Sequence, residues 1–165
     1  MGYTTEFYGK INVTPPLNED EITYLRLFNK TRRMDRKKGP YFVGGKGDYG
    51  QDKEEDVRDY NQPPKGQPGL WCQWVPSEDG SGIEWDGNEK FYESEEWMAY
   101  IIDHFLKPGA IAKTVEKNGS VKFVDHVCNG VIEAQGEDRG DIWKLVVKDN
   151  KVQRVDGYYA YADEA

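Results

Sequence analysis

The chain has 165 residues, of which 37% are hydrophobic and 32% charged, the balance of one soluble domain with a single core. Its net charge of −8 speaks against a protein built to grip long nucleic acid, which is usually basic. There is no run of about 18 apolar residues, which excludes a membrane-spanning helix.

The charge is unevenly spread. Residues 1–50 carry 9 basic and 6 acidic side chains, net +3. Residues 51–100 carry 4 and 13, net −9, and residues 101–165 carry 9 and 11, net −2. The opening segment has no basic stretch followed by an apolar one, so no secretory signal is read there and a cytoplasmic protein is expected. Cys72 and Cys128 are the only cysteines and are expected to be reduced and buried.

The first element reads as a strand. Tyr3, Thr5, Phe7, Gly9, Ile11 and Val13 alternate with polar neighbours at period two. After Pro15-Pro16, Asn18 and Glu21 have capping-box spacing, with Leu17 and Ile22 placed as a hydrophobic staple. This predicts a helix over residues 19–33, ending on Arg32 and Arg33, with Ile22, Leu25 and Phe28 inward. Residues 34–69 are rich in Gly, Pro and charge. They predict a long irregular loop with at most one short strand, around residues 41–43.

Order returns with a strand over 70–76, a turn, and a return strand over 83–85. Ser94 is expected to cap a second helix, in which Trp97, Met98, Ile101, Ile102 and Phe105 form one apolar stripe. Pro108-Gly109 stops it. Asn118-Gly119, Asn129-Gly130 and Asp149-Asn150 then read as hairpin turns between the strands of a meander. The tail, residues 160–165, is expected to fray. The sum is an α+β fold in one domain, residues 1–165. A single, mostly antiparallel sheet has two helices packed on one face, and the long loop is added to it.

The segments "YTTEFYG", "YLRLFNKTRRM", "GLWCQWVPSEDGSGIEWDGNEKFYESEEWMAYIIDHFLKP" and "CNGVIEAQGEDRGDIWKLVVKDNKV" resemble a family of short uncharacterised proteins found in bacteria and their phages. The resemblance covers most of the chain outside residues 34–65 and 109–124. It implies a stand-alone intracellular protein of phage setting and brings no activity with it.

Three of the five tryptophans lie in "WCQWVPSEDGSGIEWDG", from Trp71 to Gly87. If Trp74, Ile83 and Trp85 go under the helices, Trp71, Gln73, Glu84 and Asp86 share the open face. An aromatic platform beside hydrogen-bonding groups suits a nucleobase or a sugar; an ordinary solvated sheet face has the same pattern. Arg32 and Arg33, followed by Arg36, Lys37 and Lys38, could hold phosphate through their planar forks. They equally suit the C-terminal end of a helix. His126 and Cys128 share a strand face, but no second ligand pair has zinc-like spacing, so neither a metal nor a cofactor is expected.

Three functions follow from these residues. The first is a non-catalytic binding protein for a small phosphorylated or nucleotide-like ligand, held by Arg32, Arg33, Trp71, Gln73, Glu84 and Asp86. In a phage setting it would serve anti-defence by sequestering a signal molecule. The second is an acidic interaction module or DNA mimic that blocks a host protein. The third is a small hydrolase acting on a nucleotide or sugar, with Glu84 or Asp86 as general base, or with Glu133 and Glu137 as a carboxylate pair. Spare edges and aromatics also make a homodimer conceivable.

Overall fold

Strand β1, Glu6–Thr14, buries Phe7, Ile11 and Val13 and leaves Glu6, Tyr8, Lys10 and Asn12 exposed, as period-two alternation requires. The computed structural model describes residues 2–44, 55–114 and 122–162. Within them, β4 (Trp74–Pro76), β5 (Gly82–Trp85), β6 (Val127–Gln135), β7 (Ile142–Lys148) and β8 (Lys151–Asp156) join β1 in one antiparallel sheet. The strand order is β4-β5-β1-β6-β7-β8. A second, two-stranded ribbon pairs β2 (Asp35–Arg36) with β3 (Val57–Asp59). With two helices, the architecture is α+β. One face of the large sheet carries the core, in which Ile11, Ile83, Ile132 and Leu145 are fully buried against the helices.

Helix α1 spans Glu19–Lys30. Its capping box is closed in both directions: the Asn18 side chain accepts from the Glu21 N–H at 2.9 Å, and the Glu21 carboxylate accepts from the Asn18 N–H at 2.8 Å. Leu25 and Phe28 are buried as the periodicity predicts, while Ile22 is half-buried. The helix stops three residues before the predicted end. Thr31 is extended and turns its hydroxyl back to the Leu27 carbonyl at 2.6 Å, the local bond by which threonine competes with helix. Arg32 and Arg33 therefore lie beyond the helix.

Helix α2 spans Ser94–Ile101 and widens into a π-helical turn over Ile102–Leu106, closed by Lys107 N–H to the Ile102 carbonyl at 3.0 Å. All five residues of the predicted stripe are buried. Ser94 does not cap. It is already helical, and the N-cap is Glu93 in the left-handed region, φ 58°. The Ser94 carbonyl accepts the Trp74 indole N–H at 2.8 Å, which ties the helix start to β4.

Two further corrections concern strands. Asn129-Gly130 is not a hairpin turn. Both residues lie inside β6, which pairs with β1 over nine successive positions from Glu6↔Gln135 to Thr14↔Val127. The glycine serves a close approach of backbones rather than a turn, since a Cβ on Gly130 would sit 2.9 Å from the Lys10 carbonyl oxygen. The described residues just before β6, 122–126, form no strand and tuck Phe123 and His126 inward. Asp149-Asn150 is the tight turn expected, both residues having positive φ. Asn118-Gly119 lies outside the described residues.

The described parts of the long loop, residues 34–44 and 55–69, are more ordered than their composition suggests. Residues 41–43 form no strand; β2 and β3 pair instead. Tyr41 packs edge-on to Phe105 with ring centroids 5.3 Å apart, so the described start of the loop is anchored on the core. Residues 45–54 lie outside the described residues.

Candidate functional site

The tryptophan hairpin is shorter than predicted because residues 70–72 dock against the end of α1 and the segment just after it, and only the Gln73 carbonyl, which accepts from the Asp86 N–H at 3.0 Å, extends the pairing. The Leu70 carbonyl accepts from the Arg33 N–H at 2.7 Å, and the Cys72 carbonyl from the Asn29 side chain at 2.7 Å. Trp74, Ile83 and Cys72 are buried as read. Trp85 is half-buried, 5.5 Å from Phe7 by ring centroids, and its indole N–H donates to the Asn88 carbonyl at 3.1 Å and to the Gln73 side chain at 3.4 Å.

Two of the predicted platform residues are used by the fold. Gln73 donates to the Glu89 carbonyl at 3.1 Å. Asp86 accepts from the Asn29 side chain at 2.9 Å and from the Asn88 N–H at 2.8 Å, which turns it toward α1. Glu84 remains on the outer face of β5, in register with Val75, and Trp71 is half-buried. The hydrogen bonds of Gln73 and Asp86 close the turn after β5; they do not assemble an open platform with Glu84.

The two arginines diverge. Arg32 donates to the Tyr60 carbonyl at 3.1 Å. Arg33 is 3% exposed and donates to the carbonyls of Pro40 and Phe42, with its guanidinium 4.1 Å over the Phe28 ring. Burial pushes its pKa down to about 10. Arg33 acts as an internal clasp for the start of the long loop, not as half of a surface clamp.

Neither histidine sits in a ligand cluster. His126 is buried between the Pro15 carbonyl and Glu21. His104 stacks on Tyr100 at 3.7 Å and meets the Tyr41 hydroxyl at 2.6 Å through Nδ1, and burial lowers its pKa. Both thiols are unpaired and buried, their pKa values pushed up to about 12 by desolvation. Among the described residues, no group of three or more His, Cys, Asp or Glu could hold a metal ion. Glu137 accepts from the Thr4 N–H at 3.0 Å, whereas Glu133 stands exposed on β6.

The most site-like surface is one that sequence reasoning missed. Register places Tyr8, Glu133, Lys144 and Val155 in one row across β1, β6, β7 and β8, on the face away from the helices. Past β8 the chain runs on through Gly157, whose N–H donates to the Ile142 carbonyl at 2.9 Å. Tyr159 then donates its hydroxyl to the Gln135 side chain at 3.2 Å, and the Arg139 guanidinium lies 5.5 Å from its ring. Tyr8, Glu133, Lys144, Val155, Tyr158 and Tyr159 line an open groove of about 550 Å³. Tyr8, Tyr158 and Tyr159 are 55%, 85% and 54% exposed, an unusual display of aromatic surface. The Tyr8 hydroxyl donates to Glu6 at 2.6 Å, and that bond raises its pKa.

Family models, curated proteins and solved structures offer no match to the chain.

The groove is therefore read on its chemistry alone. Among the described residues, no side-chain hydrogen bond or ion pair occupies Glu133 or Lys144. Three tyrosine rings thus surround a carboxylate and an ammonium that are open to a ligand. The sequence held two signals for this: Tyr8 falls in the polar phase of β1, and the tyrosine-rich "GYYAY" follows the last strand.

Proposed function

We propose that the protein is a non-catalytic binding protein whose small, ring-containing ligand lies in the groove between Tyr8 and Tyr158-Tyr159. The observation that carries this reading is the exposure of these rings around a groove large enough for a small molecule. Exposed aromatic faces stack on flat rings, and adjoining polar groups orient them. The expectation of a ring-stacking ligand is kept, on a different surface from the tryptophan hairpin. The expected phosphate contact is not carried over to this groove, since Arg33 is committed inside the fold and Lys144 stands beside Glu133. Sequestration of a small molecule, the role suggested by the resemblance to phage proteins, is a use that needs no catalytic group.

The test is mass spectrometry of gently purified protein, native and then denatured, together with Tyr8→Ala and Tyr159→Ala variants. A released small molecule, lost from both variants while their melting temperatures stay close to the parent's, supports the reading. Stacking of about 1–3 kcal/mol per ring corresponds to a loss of affinity of roughly fivefold to 150-fold in each variant. Retention of the molecule by both variants refutes it.

A further inference from the structure

The make-up of the groove narrows the class of ligand. Its lining sets the Glu133 carboxylate beside the Lys144 ammonium, and the Asp156 carboxylate is paired with Arg154 at 2.9 Å, so no excess of positive charge is present to hold a phosphate. Glu133 and Lys144 are direct cross-strand neighbours in register, which sets a strong acceptor beside a strong donor on a flat strand row. Vicinal hydroxyl groups both donate and accept, and such a pair can satisfy them together. The tyrosines supply the apolar complement: one face of a pyranose presents its C–H groups, and an aromatic ring covers that face.

The row from Tyr8 on β1 to Val155 on β8 crosses three strand spacings, about 14 Å at the usual separation of neighbouring strands. That length exceeds one sugar ring. The groove is also open along the sheet rather than closed over, which lets a chain pass through it.

We infer that the ligand of this groove is a neutral oligosaccharide, stacked on Tyr8 and Tyr159 and hydrogen-bonded by Glu133 and Lys144. This rests on the reading of the groove as a binding site and adds the ligand's class.

The experiment is titration of the intact protein with cellotetraose, maltotetraose and chitotetraose, and separately with AMP, followed by amide NMR spectra. The expected result is saturable shifts at residues 8, 133, 144 and 159 with at least one tetrasaccharide, unchanged on raising the salt. Tyr8→Ala and Glu133→Gln should each weaken it by about tenfold or more, and Tyr8→Phe, which keeps the ring, should bind as the parent does. Shifts of these residues with AMP alone, weakened by salt, overturn the saccharide class and leave the site standing. Absence of shifts with every probe overturns the saccharide class; if the mass-spectrometric test also releases no molecule, the binding-site reading falls with it.

Discussion

His126 and Glu21 meet through Nε2 and Oε2 at 2.8 Å, and both side chains are fully buried. The second ring nitrogen, Nδ1, lies 2.7 Å from the Pro15 carbonyl, which can only accept. Nδ1 must therefore carry a hydrogen, and the Nε2–Oε2 contact holds one further proton between the two groups. Glu21 also accepts from the N–H groups of Asn18 and Val124. One carboxylate thereby joins the start of α1, the approach to β6 and the Pro15 turn. Removing His126 leaves the Glu21 carboxylate buried with only backbone N–H partners, and breaking a buried pair typically costs about 3–5 kcal/mol. His126→Ala should lose stability of that order in denaturant unfolding, while Glu19→Gln, exposed on the same helix turn, stays within about 0.5 kcal/mol. A loss in His126→Ala as small as that of Glu19→Gln would count against the account.

Arg33 makes a second prediction that separates structure from binding. Its two carbonyl contacts and its seat over Phe28 hold residues 40–42 against the core. Hydrogen bonds from a charged group contribute roughly 1.5–3 kcal/mol. Arg33→Ala should therefore lower the melting temperature and speed amide hydrogen exchange at residues 41–44. Arg33→Lys should recover only part, because a single ammonium does not reproduce the fork. Unchanged stability in Arg33→Ala together with lost ligand binding would restore the surface-clamp reading.

Local chemistry was legible in the sequence, and register was not. The alternation around Phe7, Ile11 and Val13, the Asn18–Glu21 capping box and the Trp97 to Phe105 stripe each depend on neighbours a few residues apart, and each is found. Asn129-Gly130 fooled the same logic, because a glycine that permits close strand approach and one that permits a turn look alike in sequence. The candidate groove was only hinted at by its exposed tyrosines, for a related reason. Tyr8, Glu133 and Val155 become neighbours only through three strand registers, and no local pattern states which residues will face each other. The commitment of Gln73, Asp86 and Arg33 to internal hydrogen bonds is likewise a property of the tertiary fold.

Gly130 provides the third prediction. It has φ +153° and lies opposite Ile11 in β1, where an added Cβ would meet the Lys10 carbonyl oxygen at 2.9 Å and the Ile11 Cα at 3.1 Å. Both neighbours are backbone in the middle of the sheet and cannot swing aside. Gly130→Ala should cost about 1–3 kcal/mol, the range for a residue forced into a sparsely populated conformation. Gly140→Ala, where nothing lies within 4 Å of the added atom, is the matched control. Equal unfolding midpoints for the two variants would show that β6 relaxes around the methyl group.

Asp79 sets the fourth, a dependence on pH. Its Oδ1 accepts from the Ser81 N–H at 3.0 Å, the Ser81 hydroxyl at 2.7 Å and the Ser77 hydroxyl at 3.0 Å, closing the turn between β4 and β5. These bonds favour the charged form, the Ser81 N–H foremost, and lower its pKa from 3.8 to about 2. A pKa depressed by folding means that the folded state holds its proton less tightly than the unfolded chain does. The stabilisation is thus complete above pH 3.8 and drains away as pH falls toward about 2. Asp79→Ala lacks it at every pH. The stability gap between parent and variant should be constant from neutral pH down to roughly 4 and then narrow steadily toward pH 2. Carboxyl chemical shifts give the pKa directly, and the two readouts must agree. A gap that narrowed near neutral pH instead would assign the loss to a different group, since Asp79 does not titrate there.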